Sequence, residues 1–253
     1  MNRFFLVASM LLASFFIMAQ NETEGYEFTV VKENPVTSIK NQANTGTCWS
    51  FAGVSFLESE LLRMGKGTHD LSEMYIVRRN YEDQARKYVR LHGSLNFSAG
   101  GSFADVFETI DEYGVVPENV YRGLEYGEEN HKHGEIDYLL KNYVDGVIAN
   151  RNRTLTPVWF KGYSSVLDTY FGEKPESFQY NGKSYTPQSL ATELGLKTDN
   201  YISMTSFTHH DFYTQYPFDV PDNWRWANSY NVPMDELIET MDNAIMNGYT
   251  VTW

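Results

Sequence analysis

The chain has 253 residues and one cysteine, Cys48. One cysteine excludes an internal disulfide, so the fold must be held by its core alone. Basic residues are also scarce, with 20 Lys and Arg against 33 Asp and Glu and a formal charge of −13. No cluster of basic side chains offsets that balance. Nucleic acid and anionic membranes are polyanionic, so an acidic surface argues against both as main partners. Low-complexity tracts and internal repeats are absent. What is present suits a folded protein: 42% hydrophobic and 15% aromatic residues, enough for one large domain or two small ones.

No apolar run reaches the roughly 20 residues that span a bilayer. The uncharged run Phe4 to Ala19 stops at sixteen. It follows Arg3 and leads into the polar stretch Gln20 to Glu24. A basic start, an apolar stretch and a small residue before a polar one make a secretory signal, residues 1–19, cleaved near Ala19. An uncleaved anchor is the alternative. No cysteine at the boundary could carry a lipid. The expectation is an exported chain, periplasmic or secreted, with residues 20–253 as one domain and no stable membrane insertion once the signal is gone. An unpaired exported thiol is either buried and inert or kept for chemistry.

Punctuation marks out the elements. Residues 26–41 read as extended. A helix runs from Cys48 to about Met64, with Thr47 as a plausible cap and Gly65 and Gly67 as its stop. A second starts after Ser72 and ends near Val89. A third spans about Ser102 to Tyr113, stopped by Gly114 and barred by Pro117. Residues 134–172 carry two more helical patterns. Asn181-Gly182 sets a hairpin with a type I′ turn. Thr186-Pro187 opens a short helix that Gly195 closes. Residues 198–232 are aromatic and irregular. A helix from Met234 to Asn247 then leads to a strand, Tyr249 to Trp253.

Cys48 lies at the mouth of its helix. Backbone N–H groups there are unsatisfied and the helix dipole is positive, which favours the reactive thiolate. Gly46 allows close approach of a substrate carbonyl. Gln42, six residues upstream, carries an amide that could join the Cys48 backbone N–H in an oxyanion hole. The plain alternative is a small buried hydrophobe beside a core tryptophan.

The segment VTSIKNQANTGTCWSFAG, Val36 to Gly53, resembles the active-site segment of papain-like cysteine peptidases. The likeness covers Lys40-Asn41-Gln42, the step from Gln42 to Cys48, Gly46, Trp49 and Phe51-Ala52. Thr45 stands where secreted papain relatives usually carry a disulfide cysteine, which is similar to the bleomycin hydrolase and aminopeptidase C branch. Leu71-Ser72-Glu73, Gly100-Gly101-Ser102-Phe103 and Tyr113 to Pro117 extend the resemblance. It implies an α+β papain-like fold, with the helical first half and the start of the second, β-barrel half, and residues 121–232 as a family-type insertion. It implies Cys48 as nucleophile, Gln42 as oxyanion donor, and Gly100, Gly101 and Trp49 as substrate-binding residues. Peptides are the implied substrates, and ring-like homo-oligomers the implied assembly. The bland reading of Gly100-Gly101 is a helix-start loop, since glycine suits tight turns.

A cysteine peptidase needs a histidine as proton carrier. The chain has six: His69, His92, His131, His133, His209 and His210. His209 and His210 are the tempting pair, and Asn228-Ser229-Tyr230 echoes the family's Asn-Ser-Trp. Both histidines, however, precede the helix and strand of residues 235–253, after which the family's histidine comes. His131-Lys132-His133 reads as a solvated loop. His69 and His92 lie near helix ends, where histidine meets terminal carbonyls. No His/Cys/Asp/Glu group has good metal-ligand spacing, so no metal or cofactor is expected. The expectation is the front part of a peptidase, truncated at the C-terminus and nearly inactive alone, its histidine and asparagine encoded beyond Trp253. The resemblance makes aminopeptidase action the first reading, with endopeptidase action open. A non-catalytic peptide-binding remnant is the rival. A redox-sensing thiol lacks a resolving cysteine.

Overall fold

Hydrophobic spacing at helical period builds most of the core. The computed structural model describes residues 25–253. The secretory signal read at residues 1–19 lies outside them. Residues 25–33 carry no regular structure, and Asn34–Trp253 form one compact unit.

Seven α-helices are present among the described residues. The first, α1 (Cys48–Arg63), buries Val54, Leu57 and Leu61 on one stripe. It packs on α2 (Glu73–Arg90) and α3 (Phe103–Tyr113). Gly53 lets α1 and α3 meet closely, because a Cβ there would lie 2.7 Å from Val106 Cγ2. The Ser72 hydroxyl accepts from the Tyr75 N–H at 3.0 Å and caps α2. Ser102 and Asp105 form a capping box that opens α3. α4 (Gly134–Ile148) presents Ile136, Leu140 and Val144, and α5 (Val158–Phe171) presents Tyr163, Leu167 and Phe171, each set one turn apart. Both pack on α2. That helix is therefore buried on several sides and holds charge inside. Arg78 is fully buried, with Glu82 at 3.0 Å and Asp168 as partners, and Lys174 reaches Glu82 at 2.7 Å.

The hairpin falls where Asn-Gly places it. Strands β1 (Phe178–Tyr180) and β2 (Lys183–Tyr185) pair antiparallel. Asn181 and Gly182 take φ of 48° and 77°, the two positive values a type I′ turn requires. α6 (Pro187–Leu194) follows, capped by Thr186 and closed by left-handed Gly195.

Residues 198–232 are more ordered than their sequence suggests. They contain a three-stranded sheet in the order β3 (Met204–Thr205), β5 (Asn228–Asn231), β4 (Gln215–Pro217). β5 runs parallel to β3 and antiparallel to β4. Strands of two to four residues are too short to show alternation. Side chains hold them instead. Buried Asn231 donates to Phe207 O at 2.9 Å and accepts from Phe207 N–H at 2.8 Å. Arg225 fastens the segment to the helices, donating to Asp105 at 2.8 Å and Asp83 at 2.9 Å.

Residues 26–41 carry no helix and no paired strand. One expectation needs correction. Tyr249 to Trp253, after α7 (Met234–Met246), pair with no strand among the described residues. A strand needs a neighbour for its backbone groups. Here Asn34 donates to Tyr249 O at 2.8 Å and Ile245 O at 3.0 Å, and the Arg63 guanidinium lies 4.1 Å from the Tyr249 ring centre.

Candidate active site

Gln42 to Thr47 form a loop closed on itself. Gln42 Nε2 donates to Thr45 O at 2.8 Å, and Thr45 Oγ1 donates to Gln42 O at 3.1 Å. Asn44 pairs with the backbone on both sides of Lys132: its N–H donates to His131 O at 3.0 Å, and its carbonyl accepts from His133 N–H at 3.1 Å. Cys48 follows as the first helical residue, and it is exposed.

The helix mouth is open for a chemical reason. Thr47 occupies the cap position, but its hydroxyl meets Thr45 Oγ1 at 2.6 Å and caps nothing. The expectation that Thr47 supplies a side-chain cap is thus corrected: the nearer hydroxyl took it. The N–H groups of Ser50 and Phe51 reach Thr47 O, while those of Cys48 and Trp49 find no acceptor among the described residues. Gln42 Nε2 carries two hydrogens and spends one on Thr45. An exposed sulfur, a free N–H beside it and a fixed glutamine amide occupy one loop.

Trp49 turns the other way. It is 4% exposed, and Nε1 donates to Ala99 O at 3.0 Å. That bond lays residues 99–101 along the start of α1. Neither Gly100 nor Gly101 has a positive φ, so a turn does not explain them. Space does. A Cβ on Gly101 would lie 2.8 Å from Trp49 Cε2, and one on Gly100 would lie 2.6 Å from Asp222 Oδ1. Asp222, held by Asn96 Nδ2 at 3.1 Å, is a residue near this surface that the sequence reading missed. It lies 122 positions from Gly100 and no motif marks it. Gly101→Ala should lower the unfolding midpoint by the equivalent of about 1–3 kcal/mol, because the Trp49 ring is rigid and buried. An unchanged midpoint in urea titration would show that the ring can yield.

No hydrogen bond joins a histidine to Cys48 among the described residues. His69 Nδ1 meets Tyr180 OH at 3.0 Å and Nε2 meets Lys66 O at 3.1 Å, as a helix-end histidine should. His209 and His210 both face Asp219. The solvated-loop reading of residues 131–133 is overturned. His133 is fully buried against Phe171, with ring centres 5.2 Å apart and both ring nitrogens unpartnered. Burial, with His131 nearby, holds it down to about 3, so its ring stays neutral. The pairing of Asn44 with both neighbouring peptides drew this segment inward.

Behind the loop lies a cavity of about 250 Å³ whose walls include Lys40, Asp70, Glu73, Glu118, Arg122 and His131. Burial pushes Glu73 up to about 7 and Glu118 up to about 8. One carboxylate oxygen of each is buried without a partner. Lys40 is held above its ordinary value: burial works against its charge, but Asp70, Glu58 and Glu73 outweigh it. Sequence spacing also hid one metal-type cluster, since His209, His210 and Asp219 bring their donor atoms within 4.8 Å of one another.

Parts of the chain are similar to known proteins. Cysteine proteinase 2 of Entamoeba histolytica is 36% identical over 93 residues, 36% of this chain and 26% of that protein. Peptidase 1 of Euroglyphus maynei is 32% identical over 108 residues, 43% of this chain and 30% of its own. The matched stretch is thus less than a third of either relative's length. Among solved structures, PepW from Lactobacillus rhamnosis HN001 superposes with a TM-score of 0.68 at 16% identity, over 87% of this chain and 59% of that one. It shares the fold. The sequence model of the papain family cysteine proteases matches residues 26–194, well over half of the chain, and the chain belongs to that family.

Proposed function

We propose that the protein is an exported cysteine peptidase, an aminopeptidase of the bleomycin hydrolase type, with Cys48 as nucleophile and Gln42 in the oxyanion hole. The observation that carries this reading is the exposed Cys48 at a helix start without a side-chain cap, in the same loop as a glutamine amide with one hydrogen unspent. The sulfur attacks a peptide carbonyl carbon. The carbonyl oxygen becomes an oxyanion, which the Cys48 N–H and Gln42 Nε2 stabilise. The C–N bond then breaks, the amine leaves with a proton, and a thioester remains until water hydrolyses it. Residues 99–101, held by Trp49, offer backbone to the substrate. No histidine is bonded to Cys48 among the described residues, so activated peptide esters, whose leaving groups need no proton, suit the test. Thr45, the Leu71-Ser72-Glu73 segment and the Tyr113 to Pro117 segment support the branch. Residues 3–24 support export.

Leaving-group release from activated peptide esters tests both levels. This reading predicts a burst of about one equivalent per chain, at least about tenfold faster with a free N-terminal amine than with an acetylated one. Equal rates would make it an endopeptidase. The rival, a peptide-binding module without chemistry, is favoured by the absence of a histidine bonded to Cys48 among the described residues. It predicts peptide binding with no burst.

A further inference from the structure

We propose that His209, His210 and Asp219 form a binding site for one divalent transition-metal ion of the zinc class. Two imidazole nitrogens and a carboxylate oxygen are donors that zinc takes, leaving a fourth position for water. His210 Nε2 lies 2.9 Å and His209 Nε2 3.4 Å from Asp219 Oδ2. Bonds of about 2.0–2.1 Å in tetrahedral array separate donor atoms by about 3.3 Å. The recorded distances bracket that value.

Consecutive side chains of an extended segment point to opposite faces. Here a turn at residues 208–210 brings both rings to one side, with centres 4.4 Å apart. The turn is built, not draped. Asn231 holds it from beneath, donating to His210 O at 3.1 Å, and the His210 ring stacks on Tyr216 at 3.7 Å. Asp219 comes from the other side of β4. An ion there would tie the loop before β4 to the turn after it.

The test uses zinc chloride and the full chain carrying Cys48→Ser, which removes the competing thiol. Calorimetry should find one ion per chain, and cobalt(II) in its place should give visible d–d absorption. Asp219→Asn keeps shape at an exposed position and should weaken binding at least about tenfold, as should His209→Ala. His210→Gln retains packing area on Tyr216 and should do the same. Binding unchanged in all three variants, or no binding at millimolar zinc, would overturn the proposal.

Discussion

Cys48→Ala abolishes the release of leaving group from activated peptide esters, a loss of about 10⁴-fold or more. The size follows from the chain having one thiol, the hydroxyls of the same loop being far weaker nucleophiles. Gln42→Ala in the same assay costs about 10²–10³-fold, the usual price of one oxyanion donor. The two effects are separable. Loss of the sulfur removes the bond that forms, whereas loss of the amide leaves that bond and exposes the charge it creates. Because Gln42 also donates to Thr45, Gln42→Glu is the useful control. It preserves length but reverses the electrostatics, and should be at least as slow as Gln42→Ala. A Cys48→Ala chain that still gives a burst would end the hydrolase account.

The second large effect is on stability against pH. Glu73 is raised from 4.5 to about 7, first by burial, with Glu58 and Asp70 adding to it and Lys40 opposing. Glu118 rises to about 8, first by burial, with Glu73 and Asp70 adding and Arg122 and Lys40 opposing. Between about pH 4.5 and those values the folded chain holds protons that the unfolded chain has released. Stability from these groups is therefore complete below about pH 4.5 and is lost as pH rises through about 7 to 8. At 1.36 kcal/mol per unit, Glu73 alone accounts for about 3 kcal/mol. Glu82 acts in the opposite sense. Burial tends to raise it, but Arg78 and Lys174 outweigh that and hold it below 4.5, so its contribution is lost in acid. From Glu73 and Glu118 the account predicts a decline between about pH 5 and pH 8, which His133, held neutral by burial, opposes up to about pH 6.5. Glu73→Gln, neutral at every pH, should flatten that decline by about 3 kcal/mol in urea titrations. Repulsion from the net charge, −13 in one chain and 20 − 32 = −12 in the other, is nearly the same and largely cancels in the comparison. Parallel profiles for the two would contradict this assignment.

Legibility in the sequence followed the range of the force involved. Helices α1, α2, α3 and α6 were readable because their caps, stops and apolar stripes are local. The hairpin was readable because Asn181-Gly182 fixes its own dihedrals. The helix mouth and its cysteine were readable from six adjacent residues. The rest depends on partners far apart in sequence. Arg225 settles against Asp83 and Asp105, more than a hundred residues earlier. His133 is buried because Asn44 pairs with its backbone, 89 positions away. The small sheet of residues 204–231 rests on the Asn231 side chain rather than on alternation. Tyr249 to Trp253 misled for the converse reason: β-branched and aromatic residues suggest a strand, but a strand exists only where a neighbour offers its backbone. Gly100 and Gly101 stand out in the sequence, but the lateral crowding by Trp49 and Asp222 that leaves no room for a Cβ there is displayed by no local pattern.

The most direct measurement is mass spectrometry of the chain after brief exposure to an activated peptide ester, followed by proteolytic mapping. The account predicts one acyl group, carried on the fragment that contains Cys48 and released by hydroxylamine as a thioester. An unmodified Cys48 fragment, or the acyl group on another side chain, would contradict it.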